Sequence, residues 1–87
     1  MIDWYGTWCG PCMRFASKYE ELSNRPQYSD VVFSKADVDR VDCSSLDLPE
    51  INSVPTFFIL KDGRVINAVL GADQARLEEA IKSASSK

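Results

Sequence analysis

The stretch Trp8-Cys9-Gly10-Pro11-Cys12 decides the fold and the chemistry of this chain, because it holds two cysteines three positions apart at a predicted helix start. Residues three apart in the first turn of a helix share one face, so the two sulfur atoms can come within bonding distance. The free N–H groups and the positive end of the helix dipole favour a thiolate at Cys9. Pro11 suits the first helical turn, and Gly10 permits a close approach. The stretch predicts a redox-active pair in which Cys9 is the exposed nucleophile.

Two other uses of such a cysteine pair are a structural disulfide and half of a zinc site. Zinc prefers four ligands, and the chain has no histidine and only one further cysteine, Cys43. No metal is therefore expected, and redox chemistry is the favoured interpretation. An odd number of cysteines also argues against a dense framework of structural disulfides and favours reducing surroundings.

The composition is that of one small globular domain. The chain has 87 residues, of which 45% are hydrophobic and 26% charged. This length supports one hydrophobic core, so a single domain is predicted over residues 1–87, with a polar tail over 83–87. The net charge of −3 and the absence of a basic run argue against nucleic acid or an anionic membrane as a partner. Protein or small-molecule disulfides fit better as substrates.

Targeting signals are also lacking in the sequence. No apolar stretch approaches the roughly 20 residues that span a bilayer, and the first residues do not resemble a signal peptide. We therefore expect a cytoplasmic protein.

Hydrophobic periodicity and turn signals predict an α/β sandwich. Strands are predicted over residues 2–5, 31–36, 56–60 and 65–70. Helices are predicted from Pro11 to about Asn24, over 46–52 after a Ser45 cap, and after an Asp73 cap. The first two strands should be parallel and joined by a right-handed crossover, whereas Asp62-Gly63 indicates a hairpin between the last two. The result is a mixed sheet of about four strands flanked by about three helices.

Residues outside the cysteine stretch extend the pattern over nearly the whole chain. Asp3 stands six positions before Cys9, and Val54-Pro55-Thr56 follows far downstream. Together with Lys35-Ala36-Asp37-Val38-Asp39 and the final Gly71, these motifs resemble the thioredoxin family. The fold that this resemblance implies is a truncated thioredoxin-like fold, a short form lacking the family's N-terminal strand and helix.

The resemblance implies a role for Asp3 as a buried acid beneath Cys12, where desolvation would raise its pKa and let it relay a proton. The alternative is that Asp3 is an ordinary polar residue at the solvent-exposed start of a strand. Lys35 matches a lysine that lies near this acid in some members of the family. Lys35 could form an ion pair with Asp3, or it could be a solvated charge on a strand edge, and both alternatives stay open.

The resemblance also implies a substrate-binding rim. Pro55 would form a cis peptide bond facing the cysteines, whereas a trans proline at an edge strand is the ordinary alternative. The backbone of Val54 would pair with an extended substrate peptide. Trp8, Gly10 and Pro11 would complete the rim.

Cys43 lies in a polar, acidic stretch, and nearby carboxylates should disfavour its thiolate. An inert thiol is the favoured interpretation. A regulatory thiol that is oxidised or forms an intermolecular disulfide is the alternative.

The predicted function is a thiol–disulfide oxidoreductase that acts as a general protein-disulfide reductant, with Cys9 attacking and Cys12 resolving. No cofactor is expected beyond the Cys9–Cys12 disulfide, since no Gly-x-Gly-x-x-Gly motif is present. The resemblance to the thioredoxin family implies an electron donor like thioredoxin reductase as a partner. The alternative is a catalytically weak binding module or a homodimer, because the strand over 31–36 would have an open edge.

Overall fold

A four-stranded mixed sheet and two α-helices form the regular structure of residues 1–46 and 48–85, which the computed structural model describes. The strands are β1 (Ile2–Tyr5), β2 (Ser34–Asp37), β3 (Thr56–Lys61) and β4 (Arg64–Leu70). The helices are α1 (Gly10–Ser23) and α2 (Gln74–Ser85). Short 3₁₀ helices span Pro26–Tyr28 and Cys43–Leu46. The predicted α/β class and four strands are confirmed.

The first strand of the chain occupies an inner position of the sheet, whose order is β2-β1-β3-β4. β1 pairs in parallel with β2, with Asp3 opposite Lys35. It pairs antiparallel with β3, where Asp3 lies opposite Phe57. β3 and β4 form the predicted hairpin, whose turn residues Asp62 and Gly63 have φ angles of 55° and 79°. Asp3 thus lies between two neighbouring strands.

Helix α1 begins at the cysteine stretch because Cys9 caps it and Pro11 occupies its first turn. Its buried face consists of Cys12, Phe15, Tyr19 and Leu22, at the spacing that the sequence predicts. The helix ends at Ser23, just before Arg25-Pro26. Phe15 contacts Phe57 of β3 edge-to-face at 5.4 Å between ring centroids.

The main core lies between one face of the sheet and the two helices. β3 and β4 contribute Phe57, Ile59 and Val69, and α2 contributes its predicted stripe of Leu77, Ala80 and Ile81. The N-terminus of α2 is capped as predicted, since the Asp73 carboxylate accepts a hydrogen bond from the Arg76 N–H at 3.2 Å. The opposite face of the sheet holds a smaller contact between Trp4 and Phe58 at 6.1 Å.

The second strand is shorter than predicted and begins at Ser34 instead of Val31. Its pairing register with β1 places Ser34 opposite Ile2, so within the described part of the chain no strand pairs with residues 31–33. The Val31 N–H instead donates to the Tyr28 carbonyl in the preceding turn. Val31 and Val32 therefore have the composition of a strand but are not paired with a neighbouring strand. β2 lies at the edge of the sheet, as predicted.

The helix predicted over 46–52 is wrong, and residues 1–46 and 48–85 contain two α-helices instead of about three. A 3₁₀ helix over Cys43–Leu46 takes its place, and residues 48–52 are not helical. Asp42 accepts hydrogen bonds from the Ser44 N–H and hydroxyl, which starts the turn earlier than the Ser45 cap would. Pro49 disfavours a helical conformation at the residue before it.

Helix α2 includes residues 83–85 of the predicted tail, and residues 86–87 lie outside the described residues. Among the helices of the described residues, none is both long and apolar enough to cross a membrane.

Candidate active site

Cys9 and Cys12 form a disulfide at the N-terminus of α1, with their Cα atoms 5.3 Å apart. The Cys12 backbone N–H donates to Cys9 Sγ at 3.2 Å, so a free N–H of the first helical turn points at this sulfur. Such a donor stabilises negative charge on the Cys9 sulfur when the disulfide is reduced. The pairing of the two cysteines at the start of the helix thus agrees with the sequence-based expectation, and the role of Cys9 as nucleophile stays a prediction.

The Cys9 side chain is less accessible than expected for an exposed nucleophile. Cys9 is 6% exposed and Cys12 3% exposed in this disulfide form. The Cys9 sulfur is bonded to Cys12 on one side, and the Val54 carbonyl oxygen lies 3.8 Å away on another. Gly10 and Pro11 are exposed at the start of α1, so the surface beside the sulfurs is open to a partner.

The Val54–Pro55 peptide bond is cis, which agrees with the resemblance. Pro55 itself is buried and directly precedes β3. Val54 is the residue of this pair that the structure brings to the cysteines, through its carbonyl oxygen. Its assignment to substrate binding stays a prediction.

Trp8 is 67% exposed and is held in place by two residues that the sequence analysis did not select. Its indole Nε1 donates to the Asp39 carboxylate at 2.8 Å. A Cβ atom at Gly6 would lie 2.7 Å from the Trp8 ring, so only glycine leaves room for the indole there. This contact could have been predicted from the order of the elements. Trp8 follows β1 and Asp39 follows β2, and the residues that follow two parallel neighbouring strands meet at one edge of the sheet.

Asp3 is a buried carboxylic acid. It is 4% exposed, and its Oδ1 atom has no hydrogen-bond partner among the described residues. Burial raises the pKa of Asp3 from 3.8 to about 6, and the charge of Lys35 partly opposes this. Its neighbour Phe57 packs on Phe15, so Asp3 lies on the side of the sheet that faces α1 and Cys12. Its burial agrees with the expectation, and its role as a proton relay stays a prediction.

Lys35 combines features of both alternatives considered for it. It is exposed, and its Nζ atom lies 5.9 Å from the centroid of the Tyr5 ring, in a cation–π contact. It also lies opposite Asp3 in the sheet and lowers the pKa of that carboxyl. The ammonium group is therefore solvated while still acting on the buried acid.

Two further expectations concern the third cysteine, Cys43, and the absence of a metal site. The side chain of Cys43 lies outside what the structure describes, so its predicted inertness or regulation is not addressed. Within the described ranges, no group of three or more histidine, cysteine, aspartate or glutamate residues could hold a metal ion.

Comparison with known proteins agrees with this geometry. The sequence model of the family described as thioredoxin matches residues 1–83. The chain belongs to the thioredoxin family. Thioredoxin-1 of Schizosaccharomyces pombe is 40% identical over 83 residues, which are 95% of this chain and 78% of that protein. Chloroplastic thioredoxin F of Oryza sativa is 43% identical over 86 residues, or 99% of this chain and 45% of that protein.

Solved thioredoxin structures share the fold. The short form of spinach chloroplast thioredoxin F superimposes with a TM-score of 0.87 at 41% identity, covering 98% of this chain and 74% of that one. Plasmodium falciparum thioredoxin gives a TM-score of 0.81 at 38% identity, covering 94% of this chain and 81% of that one. Thioredoxins are protein-disulfide reductases, and the Cys9–Cys12 pair makes this chain a thiol–disulfide oxidoreductase of that family.

Proposed function

We propose that this protein is a general reductant of protein disulfides that uses the dithiol of Cys9-Gly10-Pro11-Cys12. The observation that carries the proposal is the position of Cys9 Sγ, which lies at the N-terminus of α1 within 3.2 Å of the Cys12 N–H and 3.8 Å of the Val54 carbonyl. The helix end favours the thiolate, and the Val54 backbone offers a place for the substrate chain.

The first step joins substrate and protein covalently. The Cys9 thiolate attacks one sulfur of the substrate disulfide, a Cys9–substrate disulfide forms, and the other substrate sulfur leaves as a thiolate that takes up a proton. The substrate segment lies in extended form against Val54 and Pro55. Trp8, Gly10 and Pro11 provide the surrounding contact surface.

The second step releases the substrate. Cys12 loses its proton to Asp3 and attacks Cys9 Sγ, which forms the Cys9–Cys12 disulfide and expels the second substrate thiolate. This thiolate takes up a proton, and Asp3 releases its own to the solvent. The substrate has then gained two electrons and two protons, and the dithiol has been oxidised. A carboxyl with a pKa of about 6 suits proton transfer near neutral pH.

Regeneration requires an external electron donor. Thioredoxin f2, whose structure in complex with ferredoxin:thioredoxin reductase matches this chain with a TM-score of 0.85 and 42% identity, forms such a complex. By analogy, a thioredoxin-reductase-like protein would reduce the Cys9–Cys12 disulfide here. A cytoplasmic location is part of this proposal.

Reduction of insulin by dithiothreitol, followed by turbidity, tests the function. Wild type should accelerate the reaction, whereas Cys9→Ser should give the rate of dithiothreitol alone. Cys43→Ser is the matched control, since it removes a cysteine outside the pair and should retain activity. Cys12→Ser should accumulate the mixed disulfide with the substrate, visible by mass spectrometry. A wild type without activity would refute the proposal.

The second candidate is a catalytically weak binding or dimerisation module. The observation that favours it is the edge position of β2, where Ser34 and Lys35 are exposed. Sedimentation velocity at several concentrations distinguishes the two. A purely monomeric protein that reduces insulin would exclude the dimerisation module.

A further inference from the structure

A groove of about 560 Å³ lies next to the disulfide, a volume typical of ligand sites. Trp8 and Val54, which flank Cys9, form part of its wall, so the groove opens beside the reactive sulfur. The apolar part of the remaining wall comes from Trp4, Val38, Val41, Leu48 and Ile51. The indole N–H of Trp4 has no hydrogen-bond partner among the described residues. The groove thus combines an apolar surface next to the disulfide with polar and acidic lining residues.

The charged residues that line the groove, Asp42 and Glu50, are both acidic and exposed. Hydrogen bonds from the Ser44 hydroxyl and N–H, at 2.7 and 3.0 Å, lower the pKa of Asp42 and keep it ionised at neutral pH. Asp39 adds a third carboxylate next to Trp8. The entrance to the apolar walls is therefore negatively charged.

The nearest basic residue in the sequence does not neutralise this charge. Arg40 is not among the residues that line the groove; its side chain is 85% exposed and lies 3.9 Å from the Asp37 carboxylate. Between residues 37 and 50 the sequence contains five acidic residues and one basic residue. The field over this segment thus favours cations.

We propose that the groove selects disulfide substrates that carry lysine or arginine two positions from the reacting cysteine, with a bulky apolar residue two positions further along. The apolar side chain enters among Val38, Val41 and Ile51, and the cation meets Asp42 and Glu50. The inference rests on the proposed function, because the substrate reaches the groove while its cysteine engages Cys9. In an extended peptide, residues two positions apart point the same way, so the side chains two positions from that cysteine face the groove.

The expected selectivity is modest. Exposed ion pairs are individually weak and are screened by salt, so two of them should favour the cationic substrate by about fivefold at low ionic strength. The apolar contact should act on substrates of any charge. A rate that depends on the charge of the substrate, and that loses this dependence in high salt, therefore identifies the effect of the Asp42 and Glu50 carboxylates.

The test uses three synthetic peptides with the same internal disulfide and the same apolar residue, and with lysine, glutamine or glutamate two positions from the reacting cysteine. The pre-reduced protein reduces each in a single turnover, and rates are measured at low and high salt. The variant Asp42→Asn/Glu50→Gln removes both charges and retains side-chain size. The control Glu20→Gln/Glu79→Gln removes two exposed charges from α1 and α2, outside the groove.

Wild type should reduce the lysine peptide about fivefold faster than the glutamate peptide, with the glutamine peptide between them. The ratio should approach one in the groove variant and in high salt, and remain in the control. Equal rates for the three peptides would overturn the inference and leave the proposed function intact. A ratio that falls equally in both variants would also overturn it, since net charge alone would then explain the preference. If no peptide is reduced, the proposed function fails and the inference with it.

Discussion

Replacement of Asp3 by asparagine gives the most direct measure of what the buried carboxyl costs the fold. Burial raises the pKa of Asp3 from 3.8 to about 6 in the folded protein. A tenfold change in proton affinity corresponds to about 1.4 kcal/mol, so ionisation of Asp3 costs the folded state about 3 kcal/mol. Asparagine keeps the size and polarity of the side chain and removes the charge.

The pH window follows from these two pKa values. Between pH 3.8 and about 6 the folded state binds more protons at Asp3 than the unfolded state does. The free energy of unfolding of wild type therefore falls as the pH rises through this window, and the loss is complete above the folded pKa. Relative to wild type, Asp3→Asn should gain about 2–2.5 kcal/mol between pH 4 and pH 7.

Urea unfolding of the oxidised proteins from pH 4 to pH 8 measures this difference. Asp30→Asn is the matched control, because it makes the same substitution at an exposed aspartate. If the difference between wild type and Asp3→Asn changes by less than about 0.5 kcal/mol between pH 4 and pH 7, the carboxyl is not desolvated as the structure indicates.

Three further predictions concern the rim, the helix contacts and the core. Gly6→Ala should slow insulin reduction severalfold and shift the fluorescence of Trp8, because the new methyl group would overlap the indole ring; unchanged kinetics would contradict this contact. Glu78→Gln should lower the free energy of unfolding by about 1 kcal/mol at pH 7, since the Glu78 carboxylate accepts the Tyr28 hydroxyl at 2.8 Å. That hydrogen bond lowers the pKa of Glu78, so the loss should shrink as the pH falls through the folded pKa, and a pH-independent loss would argue against it. Leu77→Ala should cost about 2–5 kcal/mol in urea unfolding, because Leu77 is fully buried, and a cost below about 1 kcal/mol would place it outside the core.

Local signals predicted those elements whose partners are close in the sequence or whose ends are chemically marked. Cys9 and Pro11 mark the start of α1, Asp62-Gly63 marks the hairpin, and Asp73 marks the start of α2. Each of these features is decided by a few neighbouring residues. The corresponding elements were therefore predicted to within about two residues.

Features that depend on distant partners were harder to predict. The start of β2 is set by its register with Ile2, which the composition of residues 31–36 does not encode. The contact of Asp39 with Trp8 joins residues 31 positions apart and depends on the edge at which β1 and β2 both end. The helix predicted over 46–52 was wrong because two capping residues compete. Asp42 caps the turn at Ser44, which precedes the Ser45 cap that the sequence predicted.

The 3.8 Å contact between Cys9 Sγ and the Val54 carbonyl joins residues 45 positions apart. The site is therefore built from two segments that are distant in the sequence. The reacting sulfurs and the acid come from residues 3–12, whereas most of the groove comes from residues 38–54. These two segments are connected by α1 and β2, so exchange of the second need not alter the covalent chemistry of the first. Evolution, or a protein engineer, could therefore redirect this reductase to new targets by replacing residues 38–53 while the redox centre stays unchanged.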